Sequence, residues 1–85
     1  MTSPKVLMYV TDWCPYCARA RTLLESKGIA IEEIDVDAVD GARDEMEARS
    51  GRSSVPQIFI GNQHVGGCDE LLELDQAGRL DPLLK

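Results

Sequence analysis

Two rhythms of apolar and polar residues run along the chain, and the places where one gives way to the other mark its elements. Val6-Leu7-Met8-Tyr9-Val10 is continuously apolar with β-branched and aromatic members, the pattern of a central strand covered on both faces. From Pro15 to Lys27 the period lengthens. Cys17, Ala20 and Leu24 share one helical face, Tyr16, Ala20, Leu23 and Lys27 run beside it, and Gly28 stands where a helix should stop. Ala30 to Val36 reads as a second strand whose charges suit a sheet edge. Asp40 is placed to cap a second helix from Gly41 to Ser50, ended by Gly51. Its apolar positions are sparse (Ala42 and Met46, with Ala48 or Val39 as further candidates), so it is predicted to be the least firmly packed element.

Gln57 to Ile60 forms a third strand, Gly61-Asn62 a tight turn, and Gln63-His64-Val65 a short fourth strand, together a hairpin. Gly66-Gly67 breaks the chain before a last helix from Asp69 to Ala77, with Leu71, Leu72 and Leu74 as its apolar surface. Gly78 closes that helix, and Leu80 to Leu84 adds a final turn. The order β-α-β-α-β-β-α predicts an α/β fold, a four-stranded mixed sheet with helices on both faces. Its first half is a right-handed parallel βαβ unit, and its second half an antiparallel hairpin.

Length and charge narrow the function. With 85 residues there is room for one domain, residues 1–85, with a modest core. A net charge of −6 argues against a nucleic-acid partner and against an anionic membrane. The acidic residues from Glu32 to Glu47 read as a solvated face. Three cysteines are too few, and odd in number, for a disulfide-stapled secreted scaffold. The apolar run behind Met1 is broken at Thr11-Asp12, too short for a signal peptide or a membrane span, so a reducing, cytoplasmic setting is expected.

The candidate chemistry lies at Trp13-Cys14-Pro15-Tyr16-Cys17, between the first strand and the first helix. Cys14 occupies the cap position and Pro15 the first helical position, where its missing N–H costs nothing. A sulfur there faces unpaired backbone N–H groups and the positive end of the helix dipole, and both favour the thiolate, the nucleophile of disulfide exchange. Cys17, one turn on, is shielded but near enough to resolve a mixed disulfide on Cys14. A zinc site is the competing reading, with His64 and Cys68 completing a set of four ligands. A single Cys-x-x-Cys between a strand and a helix, outside any Gly-rich knuckle, favours redox chemistry. Trp13 reads as a packing or substrate-contact residue, His64 as a strand residue of the hairpin, and Cys68 as either an oxidisable thiol or a small buried hydrophobe.

Cys14-Pro15-Tyr16-Cys17, Val55-Pro56-Gln57-Ile58-Phe59-Ile60 and Gly66-Gly67-Cys68-Asp69-Glu70-Leu71, in this order and spacing, resemble the glutaredoxins. The closing Leu80-Asp81-Pro82-Leu83-Leu84 is similar to the smaller bacterial dithiol members, so the likeness runs essentially end to end. The resemblance implies a thioredoxin-like fold and a glutathione-dependent thiol–disulfide oxidoreductase. It places the nucleophile on Cys14, the resolving thiol on Cys17, and glutathione contacts on Tyr16, Ser54, Val55, Pro56, Gln57, Gly67, Cys68 and Asp69. Pro56 matches the family's cis-proline, which turns the Val55 N–H and C=O outward where a peptide can dock. The helix start at Gly67-Cys68-Asp69 suits an α-carboxylate, and the Asp69 side chain suits an α-amino group, with a plain helix cap as the alternative role for Asp69.

Thr11 departs from the family, which usually carries a Lys there to anchor the glycyl carboxylate; Arg19, Arg21, Arg52 or Gln57 are the candidates to compensate. Ser54 stands for the usual Thr and keeps the hydroxyl. The resemblance further implies a monomer with glutathione as co-substrate, no bound cofactor and no metal, acting on glutathionylated proteins and protein disulfides. Two rivals stand beside it. One is a [2Fe–2S] carrier built on Cys14 and external glutathione, against which Pro15 and the intact second cysteine weigh. The other is a thioredoxin-like reductant served by a flavoprotein reductase or another small thiol.

Overall fold

The computed structural model describes residues 4–84. Strands β1 (Val6–Val10), β2 (Ile31–Asp35), β3 (Gln57–Ile60) and β4 (Gln63–Gly66) form one sheet in the order β2-β1-β3-β4. β1 pairs parallel with β2 and antiparallel with β3, and β3 pairs antiparallel with β4, so the mixed sheet takes the expected form. β2 lies at an edge, and its Glu32 and Glu33 are exposed, as their charge requires.

Helices α1 (Pro15–Ser26), α2 (Ala42–Ser50), α3 (Cys68–Gln76) and α4 (Leu80–Leu83) divide between the two faces. Val6, Met8, Val10, Ile58 and Ile60 pack against Cys17, Ala20 and Leu24 of α1, Cys68 and Leu71 of α3, and Leu80 and Leu84. A side chain buried as fully as Leu24 stabilises by about 1.5–3 kcal/mol relative to exposure. On the opposite face Tyr9, Val36 and Phe59 meet only Ala42 and Met46 of α2, the sparse packing expected of that helix; Ala48 and Val39 are exposed. Polar contacts supplement this thinner layer. The Tyr9 hydroxyl donates to Glu45 at 2.7 Å and accepts from Arg49 at 2.9 Å, and the Arg49 guanidinium lies 4.3 Å from the Phe59 ring centroid.

Two helix starts differ from the sequence expectation. Asp40 does not cap α2: Gly41 holds the cap position, with no side-chain cap. The preceding turn is organised from Asp35 instead, whose carboxylate accepts the N–H groups of Asp37 and Ala38 at 2.9 and 3.2 Å. α3 begins at Cys68, one residue early, with Gly67 at its cap position. Asp69 is therefore the second residue of the helix and not its cap. The capping carboxylate belongs to Glu70, which accepts the Gly67 N–H at 2.7 Å.

Candidate active site

The chain leaves β1 at the sheet's centre, turns through Thr11-Asp12-Trp13, and enters α1 at Pro15. Cys14 is the N-cap of α1, with extended backbone (φ −146°, ψ 105°), and its Sγ accepts the Cys17 N–H at 3.1 Å. The sulfur thus does what a capping oxygen does, receiving an orphan donor at the positive end of the helix. Both Cys14 and Cys17 are free thiols. Cys14 is half-buried; Cys17 is 1% exposed. Burial, followed by its hydrogen bond with Cys14, pushes the Cys17 thiol up to about 12. One sulfur is accessible and accepts the Cys17 N–H, while the other stays a thiol through the physiological range.

Beside the motif opens a cleft of about 290 Å³. Tyr16 forms one wall, Ser54, Val55, Pro56 and Gln57 line the loop into β3, and Gly67, Cys68 and Asp69 contribute the start of α3, with Arg52 and Glu70 at the rim. The Val55–Pro56 bond is cis. Among the described residues neither the N–H nor the C=O of Val55 has a backbone partner, so this peptide edge is open to a ligand.

A glutaredoxin family model matches residues 6–65, and this span contains the cysteine pair and the cis-proline loop. The chain belongs to the glutaredoxin family. Glutaredoxin 3 of Escherichia coli is 55% identical over 80 residues, covering 94% of this chain and 96% of that protein. The solution structure of a glutaredoxin from Brucella melitensis superposes with a TM-score of 0.87 at 52% identity, covering all of this chain and 92% of its own. A buckwheat glutaredoxin–glutathione complex gives the same TM-score at 30% identity, covering 96% of this chain and 76% of its own. The thioredoxin-like fold and the thiol–disulfide oxidoreductase activity follow with the family.

All eight residues expected to contact glutathione line this glutaredoxin's cleft. They contribute unequally. The Gln57 side chain is 1% exposed and committed internally, so it brings no free amide to the cleft. Cys68 is 4% exposed within the core, and burial raises its thiol above the ordinary range, which makes it a small buried hydrophobe before a redox group. Tyr16 is 57% exposed. Trp13 is 85% exposed, which argues against the packing role among its two expectations.

Of the cations considered as substitutes for the missing Lys, Arg52 alone lines the cleft. Arg21 lies on the other side of Cys14, in a recess shared with Thr11 and Trp13, and is tied to Glu33 at 2.5 Å. Sequence reasoning missed Glu70, which fixes both its own helix start and Arg52, at 2.6 Å. The Ser/Thr-x-x-Glu cap rule did not flag it because the capped residue is a glycine. The zinc reading fails on geometry. The His64 ring sits 4.9 Å from that of Phe59, on the α2 face, whereas Cys17 and Cys68 belong to the opposite core. Among the described residues no three His, Cys, Asp or Glu side chains converge on a common point.

The Glu70 carboxyl is held below its ordinary value of 4.5, first by the Gly67 N–H and then by Arg52. A carboxylate shifted downward stabilises the fold above its unfolded value and loses that contribution as pH falls through the lowered one. Glu70→Gln keeps an acceptor oxygen but not the charge. Its urea midpoint is therefore expected below wild type at about pH 7 and to converge with it as pH falls below 4.5 through the lowered value. A gap of constant size across that range would contradict the assignment.

Proposed function

We propose that this glutaredoxin uses glutathione to reduce glutathione–protein mixed disulfides and protein disulfides, with Cys14 as nucleophile and Cys17 as resolving thiol. One observation carries the reading: the open Val55 peptide edge and the start of α3 share a cleft with Tyr16, two residues from the capped Cys14 sulfur. A γ-glutamyl tripeptide fits that arrangement. Its cysteine backbone pairs strand-like with Val55. Its γ-glutamyl carboxylate meets the N–H groups of Cys68 and Asp69, since that of Gly67 is taken by Glu70, and its α-amino group meets the Asp69 carboxylate. Arg52 takes the glycyl carboxylate in place of the absent Lys.

In the first step the Cys14 thiolate attacks the glutathione sulfur of the mixed disulfide. The protein thiolate leaves and Cys14 becomes glutathionylated. A second glutathione thiolate then attacks that sulfur, releasing glutathione disulfide and restoring the Cys14 thiolate. With a protein disulfide, Cys14 forms the mixed disulfide and Cys17 displaces the reduced protein. The resulting Cys14–Cys17 bridge is reduced by two glutathiones in turn. Glutathione is thus co-substrate and electron donor, no resident cofactor enters, and the reaction suits a monomer in a reducing, cytoplasmic setting. Among the described residues no helix is long and apolar enough to cross a membrane.

The test compares reductants on one glutathionylated peptide. Glutathione recycled by its reductase is expected to support turnover at least about tenfold faster than a flavoprotein thioredoxin reductase or another small thiol at equal concentration. Turnover with the other reductants and none with glutathione would overturn the proposal.

A further inference from the structure

Gln57 is the only buried polar side chain among the described residues, and it sits directly behind the cleft. β3 pairing sets Gln57 opposite Tyr9, on the α2 face and away from the cysteines. From there its Nε2 donates to the Ser54 carbonyl at 2.9 Å, and its Oε1 lies 2.8 Å from Nε2 of His64. A carbonyl only accepts, so the amide nitrogen must face Ser54 and the amide oxygen must face His64. His64 Nε2 therefore carries a proton. The imidazole is itself held against Phe59, its register partner across the hairpin, with ring centroids 4.9 Å apart.

The Ser54 carbonyl and the Val55 N–H are two ends of one planar peptide unit. Fixing the oxygen from behind fixes where the N–H points in front. We propose that His64 and Gln57 are positioning residues: together they hold the Ser54–Val55 peptide plane in the orientation that receives the backbone of the disulfide substrate. The pair touches neither substrate nor sulfur, and acts through Val55. Without the His64 donor, the Gln57 oxygen is left buried and unpaired, and the amide is free to rotate off Ser54. Burial, with Arg52 adding to it, lowers the His64 pKa, so near neutral pH the ring is uncharged and holds its single proton on Nε2. This inference rests on the glutathione reading above.

His64→Phe keeps an aromatic ring against Phe59 and removes the donor. Gln57→Leu removes both hydrogen bonds at similar volume. Each is expected to raise KM for a glutathionylated peptide about tenfold while kcat changes less than about twofold. His64→Gln, whose amide can present an N–H where Nε2 sits, is expected to recover KM to within about threefold of wild type. In wild type, the 15N shifts of the His64 ring are expected to show the neutral Nε2–H tautomer, a readout that needs no variant to fold. An Nδ1–H tautomer overturns the inference. So does an unchanged KM in both folded variants, or a fall in kcat with KM unmoved. Wild type inactive with glutathione removes the functional reading and this inference together, whereas active wild type with unaffected variants removes only the inference.

Discussion

Cys14→Ser is expected to abolish reduction of glutathionylated substrates, by at least about a thousandfold. A serine hydroxyl in the cap position can still accept the Cys17 N–H, so the helix start and the fold survive the change. The lost step is the nucleophilic attack, which needs a thiolate and which neither remaining cysteine can supply. Cys17 is buried and its thiol stands at about 12, and Cys68 is buried with its thiol also raised. Cys17→Ser behaves differently. It removes only the resolving step, so turnover of glutathione mixed disulfides should persist within a few-fold of wild type while reduction of protein disulfides drops sharply. Steady-state assays with the two substrate types separate these outcomes. Residual activity in Cys14→Ser above about a tenth of wild type would mean that another sulfur carries the chemistry.

Gly66→Ala is expected to destabilise the protein by about 2–4 kcal/mol. Gly66 sits at φ +119°, a backbone conformation that L side chains rarely adopt, and forcing one there costs about 1–3 kcal/mol. A Cβ would also come within 2.5 Å of Glu70 Oε1 and 3.0 Å of its Cγ. Glu70 cannot yield without releasing the Gly67 N–H, a cap worth about 1 kcal/mol, and Arg52 with it. At about 4–8 °C per kcal/mol for a domain of this size, Tm falls by roughly 8–32 °C. Gly78→Ala is the control, because Gly78 also has positive φ (+72°) but open space around the missing Cβ. It should cost about 1 kcal/mol. Thermal melts of the two variants within about 3 °C of one another would show that the Glu70 contact contributes nothing.

Most of the architecture was legible because each element carries its own period. The unbroken Val6–Val10 run marks the strand buried on both faces, and Cys17, Ala20 and Leu24 mark the buried stripe of α1. Helix starts were less legible, because several side chains compete for the same orphan N–H groups. Asp40 was the nearest acidic residue to α2, yet Asp35 organises the approach to it. Asp69 was the nearest to α3, yet Glu70 reaches back to cap it. The site was readable as a set of residues, since the motifs converge on one cleft. The division of labour within it was not. Gln57 counted in sequence as a candidate ligand, but pairing with Tyr9 turns its side chain to the far face of the sheet. His64 gave no local signal, because its link to Ser54 passes through Gln57 and exists only once the hairpin closes. The Ser54 carbonyl is held by contacts of this long-range kind, and no window of sequence contains them.

The central claim is that Cys14 takes up the glutathionyl group while Val55 and the start of α3 hold it. The most direct test is to treat Cys17→Ser with glutathione disulfide, locate the adduct by mass spectrometry, and record the amide shifts of the same sample. One glutathione on Cys14 is expected, with the largest shift changes at Val55, Gly67, Cys68 and Asp69. An adduct on Cys68, or a Cys14 adduct whose shifts concentrate instead at Thr11, Trp13 and Arg21, would contradict it.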